Sequence, residues 1–312
     1  MKKEVNEIKN SKELIIPADK TANMYKIKPE TYEKMLHNNI TKDYRKSNNN
    51  IVKEINKEAK SISEKFKISD RVNVMPEKNA FITIKDHKEN FDNDPKCRLI
   101  NPTKSEIGKI SKVIIQNINS KIREKSNLLQ WRSTQEAIEW FENIETKNKK
   151  ELIQCDIESF YPSISENLLK KSLAFAEKFV TITNKERNTI MHARKTILKN
   201  NDETWIKKEG LFDVGMGAND SAEVAELVGL MLLWNIRELI PEIQFGLYRD
   251  DGLGVMKTGK GCHTENIKKK LIKIFKDNEL KIDIKMRLQK ADFLDVTFDL
   301  YDGTYKPYKK TK

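Results

Sequence analysis

The stretch "FGLYRDDGLGVM" (Phe245–Met256) sets two carboxylates, Asp250 and Asp251, side by side at the crest of an apolar run. Adjacent like charges raise each other's pKa unless something positive lies between them. One reading is a plain hairpin turn, since Asp-Gly is a favoured turn dipeptide and Gly252 reaches a positive φ at no steric cost. The other is that the crest holds divalent cations. A third carboxylate, Asp156, ends the short apolar stretch "ELIQCDI", 94 positions before Asp250. Three hard oxygen ligands at one edge suit Mg²⁺, which keeps some waters and takes further ligands from substrate phosphates. Two such ions about 3.5–4 Å apart stabilise both the attacking 3′ oxygen and the departing pyrophosphate of a nucleotidyl transfer.

For that chemistry the chain must bring Asp156 beside Asp250 and Asp251. From Glu151 the pattern reads strand, helices, strand, strand, helix, strand, the ferredoxin-like order. "ELIQCDI" is the first strand, and Ser165 can cap a helix bearing Leu168, Leu169, Leu173 and Phe175. A further helix is expected over about 183–199. "DVGMGANDSAEVAELVGLMLLW" reads as a Gly-containing loop feeding a buried helix. The Phe245–Met256 hairpin is next, then a helix starting near Thr264 with Ile267, Leu271, Ile274 and Phe275 on one face. "ADFLDVTFDLYDG" reads as the closing strand. In this order the first strand lies beside the third, so Asp156 and the turn meet at one edge.

Upstream, "RKSNNN" (Arg45–Asn50) reads as a surface linker between helices at about 29–42 and 51–67. "NAFITIKDHK" and "KCRLINP" read as a strand and its returning partner. Helices are expected around 106–126, with Ile107, Ile110, Ile114 and Ile118 at helical spacing, and around 134–147.

The 312 residues suffice for one large domain or two small ones. Lys and Arg number 59 against 47 Asp and Glu, a formal net charge of +12 that favours a polyanionic partner such as nucleic acid. Cys97, Cys155 and Cys262 have neither a pairing pattern nor ligand spacing, which fits a reducing compartment. "MKKEVNEIKN" lacks the apolar core of a signal peptide, and the run "VGLMLLW" is too short to span a bilayer. The expectation is an intracellular protein, cytoplasmic or nuclear, with no membrane partner.

"QCDIESFYPSI", "GMGANDSAEVAEL", "YRDDG" and "KADFLDVTFDL", in this order, resemble the successive palm motifs of reverse transcriptases. "PADKTANMYKI", "ITKDYRK" and "FITIKDHKENF…CRLINP" resemble the N-terminal and finger segments of Penelope-like retroelement reverse transcriptases. The resemblance spans roughly residues 14–308. It implies a right-hand polymerase core of mixed α/β (α+β) class, with helical fingers, a ferredoxin-like palm sheet and a missing or truncated thumb. The implied divisions are an N-terminal helical extension (1–70), fingers (71–150), palm (151–290, with a helical insertion at about 165–215), and a primer-grip strand with the thumb start (291–312). The implied activity is RNA-directed DNA synthesis by a retrotransposon enzyme. It would extend a primer 3′-OH on an RNA template with dNTPs, form an RNA–DNA duplex, and use two Mg²⁺ ions, with Mn²⁺ as the substitute.

By the same resemblance Asp156, Ile157, Asp250 and Asp251 form the metal site, although Asp156 could also merely cap the segment after its strand. Tyr161 matches the steric gate whose ring excludes a 2′-hydroxyl, or else packs beside Phe160. Lys85 and Arg98 match the basic residues that hold the triphosphate, Arg98 as a planar fork and Lys85 as a point charge or one more solvated lysine. Gly217 would let template or nucleotide approach the backbone, or would be a plain helix-entry glycine. Lys285 is the candidate proton donor to pyrophosphate. Phe293, Leu294 and Asp295 match the primer grip, or pack the sheet from below. The lysines of the helix near 264–276 form a solvated face with some reach to template phosphates.

The chain departs from the family pattern at Arg249, where a small or apolar residue is usual, in "GANDSAE", which lacks Ser-Pro, and in "ADKTAN", which lacks a Gly. It runs only to "KPYKKTK", so no full thumb and no GIY-YIG nuclease is expected, and duplex grip should be poor. The rival readings are an RNA-dependent RNA polymerase and a nucleic-acid-binding remnant without catalysis. The oligomeric state is not legible.

Overall fold

The computed structural model describes residues 13–70, 72, 78–86, 91, 95–102, 105–215 and 217–308. Its described residues form two compact units. One is built from 13–108 and 192–219, the other from 109–191 and 220–308.

The first unit holds a hairpin, Leu14–Pro17 with Met24–Ile27, and the helix Pro29–Asp43, whose start is set by Pro29 at its first turn. The expected linker "RKSNNN" is not one: Tyr44–Lys46 is a strand pairing with Glu203–Lys207, which in turn pairs with Leu198–Asn200. Leu36, Ile40, Tyr44, Ala80, Ile82, Leu198 and Trp205 bury together beneath it. The polar composition of the linker hid a strand that closes only with a partner far along the chain. Asn48 then caps the helix Asn49–Phe66, its side chain accepting from Ile51 N at 3.0 Å. Phe81–Ile84 and Cys97–Ile100 form the expected antiparallel pair. The helix expected over 183–199 ends at His192, because Leu198–Asn200 is taken up by the three-stranded sheet.

The second unit centres on a four-stranded antiparallel sheet in the order Ile282–Leu288, Lys150–Ile157, Asp251–Lys257, Ile243–Tyr248. This is the ferredoxin-like order, with one correction. The fourth strand is Ile282–Leu288, and "ADFLDVTFDL" instead folds as Lys290–Phe293 and Val296–Asp299 in a separate three-stranded sheet with Tyr305–Pro307. Both segments alternate in polarity; the one that directly succeeds the helix Gly261–Lys276 reaches the sheet edge first.

Gly229 of the buried helix Ser221–Leu239 faces Leu247, so one face of the sheet lies on that helix. On the opposite face Leu152, Leu253 and Val255 join Phe293, Phe298, Trp131 and Phe141 in one apolar cluster. The helix Glu106–Ser126 matches its isoleucine spacing, whereas the helix expected over 134–147 stops at Glu142 before a 3₁₀ turn at Lys147–Lys149. Ser165 caps Glu166–Ala176 as expected, accepting from Leu168 N at 3.1 Å. Among the described residues no helix is long and apolar enough to cross a membrane.

Candidate functional site

The register of the central sheet sets the site. Asp251 is directly opposite Asp156 on one side, and Asp283 is directly opposite Asp156 on the other. Residues directly opposite in adjacent strands project from the same face, so the three carboxylates form a row. Tyr248, opposite Asp251, extends it to the fourth strand. Asp156 and Asp283 are exposed and Asp251 is half-buried. Behind the row, on the helix-covered face, burial pushes the Cys155 thiol far up, with Asp156, Asp251 and Asp283 adding to the effect.

The hairpin turn differs from the expected Asp-Gly turn. Asp251 pairs with Tyr248, so the two central residues are Arg249 and Asp250, and Arg249 takes φ 55°. Gly252 lies within the strand for a packing reason: a Cβ there would come 2.5 Å from Cys155 Sγ and 2.8 Å from Phe245 Cζ. Asp250 holds the turn to the first strand through its carbonyl, which accepts from Ile157 N at 2.9 Å. Ile157 is buried, on the face away from Asp156.

Asp156, Asp251 and Asp250 are thus neighbours along one sheet edge, but among the described residues no group of three or more His, Cys, Asp or Glu side chains could hold a metal ion. The expected three-ligand cradle is replaced by a row. Hard carboxylate oxygens in facing pairs still fit Mg²⁺, which takes one or two protein carboxylates and completes its shell with water and substrate phosphate. Asp283 was missed by the sequence reading, although "KIDIKM" carries the signal: Ile282 and Ile284 alternate with an acidic residue on the opposite face.

Tyr161 sits on the short helix Phe160–Ser163, its ring 6.2 Å from the buried Phe160 ring and edge-on to it. Burial raises the pKa of its hydroxyl, Arg249 pulls it back and Asp250 pushes it up again, which places all three in one neighbourhood. Lys285, opposite Gln154, lines a cavity of about 440 Å³ together with Asp251, Gln154, Phe293 and Leu294. Phe293 is buried with its ring 5.3 Å from Trp131, while Leu294 and Asp295 form the tip of the Lys290–Asp299 hairpin, Leu294 at φ 55°. Gln154 donates to the Asp292 carbonyl at 2.6 Å, tying this hairpin to the strand that bears Asp156.

In the other unit, Thr83 lies opposite Arg98, and Lys85 comes two residues on, so the three share one hairpin face. Arg98 is engaged locally: its Nη1 is 2.8 Å from Oδ1 of Asp19, whose side chain is buried. The next turn is engaged as well, since Asp86 Oδ2 accepts from Thr21 at 2.5 Å, Asn23 at 2.8 Å and Tyr25 at 3.0 Å. The "ADKTANMY" and "IKDHK" segments thus interlock through side chains, a contact between distant positions that spacing could not reveal. Gly217 has φ 104°, and a Cβ would come 2.5 Å from the Asn101 carbonyl oxygen. Its missing side chain therefore has a local steric reason.

No protein-family model matches the chain, and no curated protein matches it either. Solved structures do. Telomerase from Candida albicans, in complex with a fragment of telomeric RNA, superposes with a TM-score of 0.65 at 10% identity, covering 97% of this chain and 55% of that one. Apo telomerase from Candida tropicalis gives 0.65 at 11% identity, covering 97% and 56%. The RNA-dependent RNA polymerase of a human picobirnavirus gives 0.54 at 12% identity, covering 90% and 65%. The chain has a reverse-transcriptase-like polymerase fold, and it spans little more than half the length of those telomerase chains.

Proposed function

We propose that the chain is an RNA-directed DNA polymerase of a retroelement, of the Penelope-like kind its motifs resemble, which adds deoxynucleotides to a primer 3′ end on an RNA template. The observation that carries this reading is the register of Asp251 against Asp156 on an exposed edge of a ferredoxin-like sheet, within a polymerase-like fold. Like charges set directly opposite destabilise a sheet. A cation bound there would offset that repulsion.

Asp156 and Asp251 would hold the ions, with Asp250 and the Ile157 backbone beside them. Bound Mg²⁺ would offset charge on the attacking and leaving oxygens. Every other contribution belongs to side chains. The Tyr161 ring would exclude a 2′-hydroxyl by clash. Lys285, exposed at the cavity, would give a proton to the departing pyrophosphate. The hairpin tip at Phe293, Leu294 and Asp295, pinned by Gln154, would support the primer end. Lys85 and Arg98 would bring positive charge to the triphosphate, Arg98 with its guanidinium already oriented by Asp19.

The test is extension of a DNA primer annealed to RNA, with deoxy- or ribonucleotides, with and without Mg²⁺. The expected result is Mg²⁺-dependent incorporation of deoxynucleotides. Preferred incorporation of ribonucleotides would replace the reading with an RNA polymerase. Salt-sensitive binding with no extension under any nucleotide would reduce it to a binding protein.

A further inference from the structure

Two hairpins of the second unit turn in the same way. Arg249 and Leu294 each occupy the first central position of a two-residue turn, and each has φ 55°. That region suits glycine, and a long side chain there is a strained choice. Leu294 is half-buried against the cluster of Trp131, Phe293 and Leu253, and that packing offsets the strain. Arg249 is exposed and joins no apolar cluster. Backbone outliers of this kind persist where a functional contact holds them.

The surroundings of Arg249 point to a ligand class. Its guanidinium lies 5.4 Å over the Tyr248 ring. A guanidinium attracted to a ring by its charge does not spend its N–H donors on that contact, and those donors can grip phosphate in a fork. Arg249 makes no ion pair among the described residues, although Asp250 and Asp251 are its next neighbours in the chain. It also sits close enough to Tyr161 to act on its hydroxyl. A carboxylate row repels phosphate, so a cation at its tip is where a phosphorylated strand could be anchored.

We propose that Arg249 binds a backbone phosphate of the nucleic-acid strand whose end reacts at the carboxylate row. This rests on the function proposed above, and it adds a contact at a position where the chain departs from the family it resembles.

Equilibrium binding of a labelled DNA primer annealed to RNA, without nucleotide, is measured over a salt series for the parent, Arg249→Gly and Arg249→Met. Thermal melting is recorded for each. Arg249→Gly should melt above the parent, because the turn is relieved, and yet bind the duplex on the order of tenfold more weakly. Its slope of log affinity against log salt should fall by about 0.7–0.9, the loss of one phosphate contact. Arg249→Met keeps the strain, so it should show the same slope change with no gain in melting temperature.

An unchanged slope in both variants, with a parent that binds and extends the duplex, overturns this proposal alone. An effect confined to the KM for dNTP also overturns it and moves the contact to the nucleotide. A parent that neither binds the duplex in a salt-dependent way nor extends it overturns this proposal together with the function it rests on.

Discussion

The charged candidates fall in two regions that treat their charges in opposite ways. On the central sheet Asp251, Asp156 and Asp283 stand in one row of like charge, largely exposed. On the hairpin Phe81–Ile84 and Cys97–Ile100, Arg98 pairs with Asp19, and Asp86 accepts from three side chains of the N-terminal segment. Like charges set directly opposite one another cost stability. An opposite-charge cluster drawn from two segments fastens them together without outside help. By residue type alone Arg98 ranks above Lys85 as a ligand-binding residue; the structure gives Arg98 a fastening role whatever else it does.

The largest effect separates the regions at once. Asp156→Asn and Asp251→Asn should abolish primer extension, a loss of about a thousand-fold or more if the carboxylates supply several kcal/mol through bound cations. Both variants should remain folded, which thermal melting checks. A fall in melting temperature with extension retained would make the row structural and erase the contrast.

Arg98 gives the opposite pattern. Arg98→Ala strands the buried Asp19 carboxylate and should destabilise the protein by about 2–3 kcal/mol. Chemical denaturation of the variant checks this. Equal melting of Arg98→Ala and parent would return Arg98 to a purely ligand-facing role.

The smallest effect concerns pH. Burial pushes the Glu58 carboxyl up, but Lys195 and His192 together carry it below its usual range; burial pushes the His192 imidazole down, and Glu58 only partly restores it. Both groups bind protons more readily in the unfolded chain. Their stabilisation is therefore complete above the ordinary histidine value of about 6.5, and it declines as pH falls through the histidine and then the carboxylate range. Melting temperature should drop between neutral and mildly acid pH, and His192→Gln should shrink the drop. An unchanged drop would remove this cluster from the fastening contacts.

How much was legible depends on how far away each residue's partners lie. The Ser165 cap and the isoleucine-spaced helix Glu106–Ser126 rest on residues three or four positions apart, and the sequence contains them in full. Asp156 beside Asp251 was legible because the order of strands fixes their adjacency. The turn at Arg249–Asp250 was not, since Asp251–Gly252 is the better turn by local chemistry and the glycine is there to make room for Cys155. Asp19 against Arg98 and Tyr44–Lys46 against Glu203–Lys207 depend on partners distant along the chain. Asp283 lay between the two, visible in its strand but unassigned until the fourth strand was correctly placed.

The discontinuous first unit has a consequence for how the protein comes into being. Tyr44–Lys46 emerges from a ribosome long before Glu203–Lys207, its sheet partner, and the chain made in between includes residues 109–191 of the second unit. At about 5–20 residues per second the interval of some 160 residues lasts roughly 8–32 s, during which the Tyr44–Lys46 edge waits without its partner. Synthesis therefore imposes an order of assembly in which the partner of Tyr44–Lys46 is available before Asp251–Lys257 and Ile282–Leu288, the two partners of the strand bearing Asp156, have emerged.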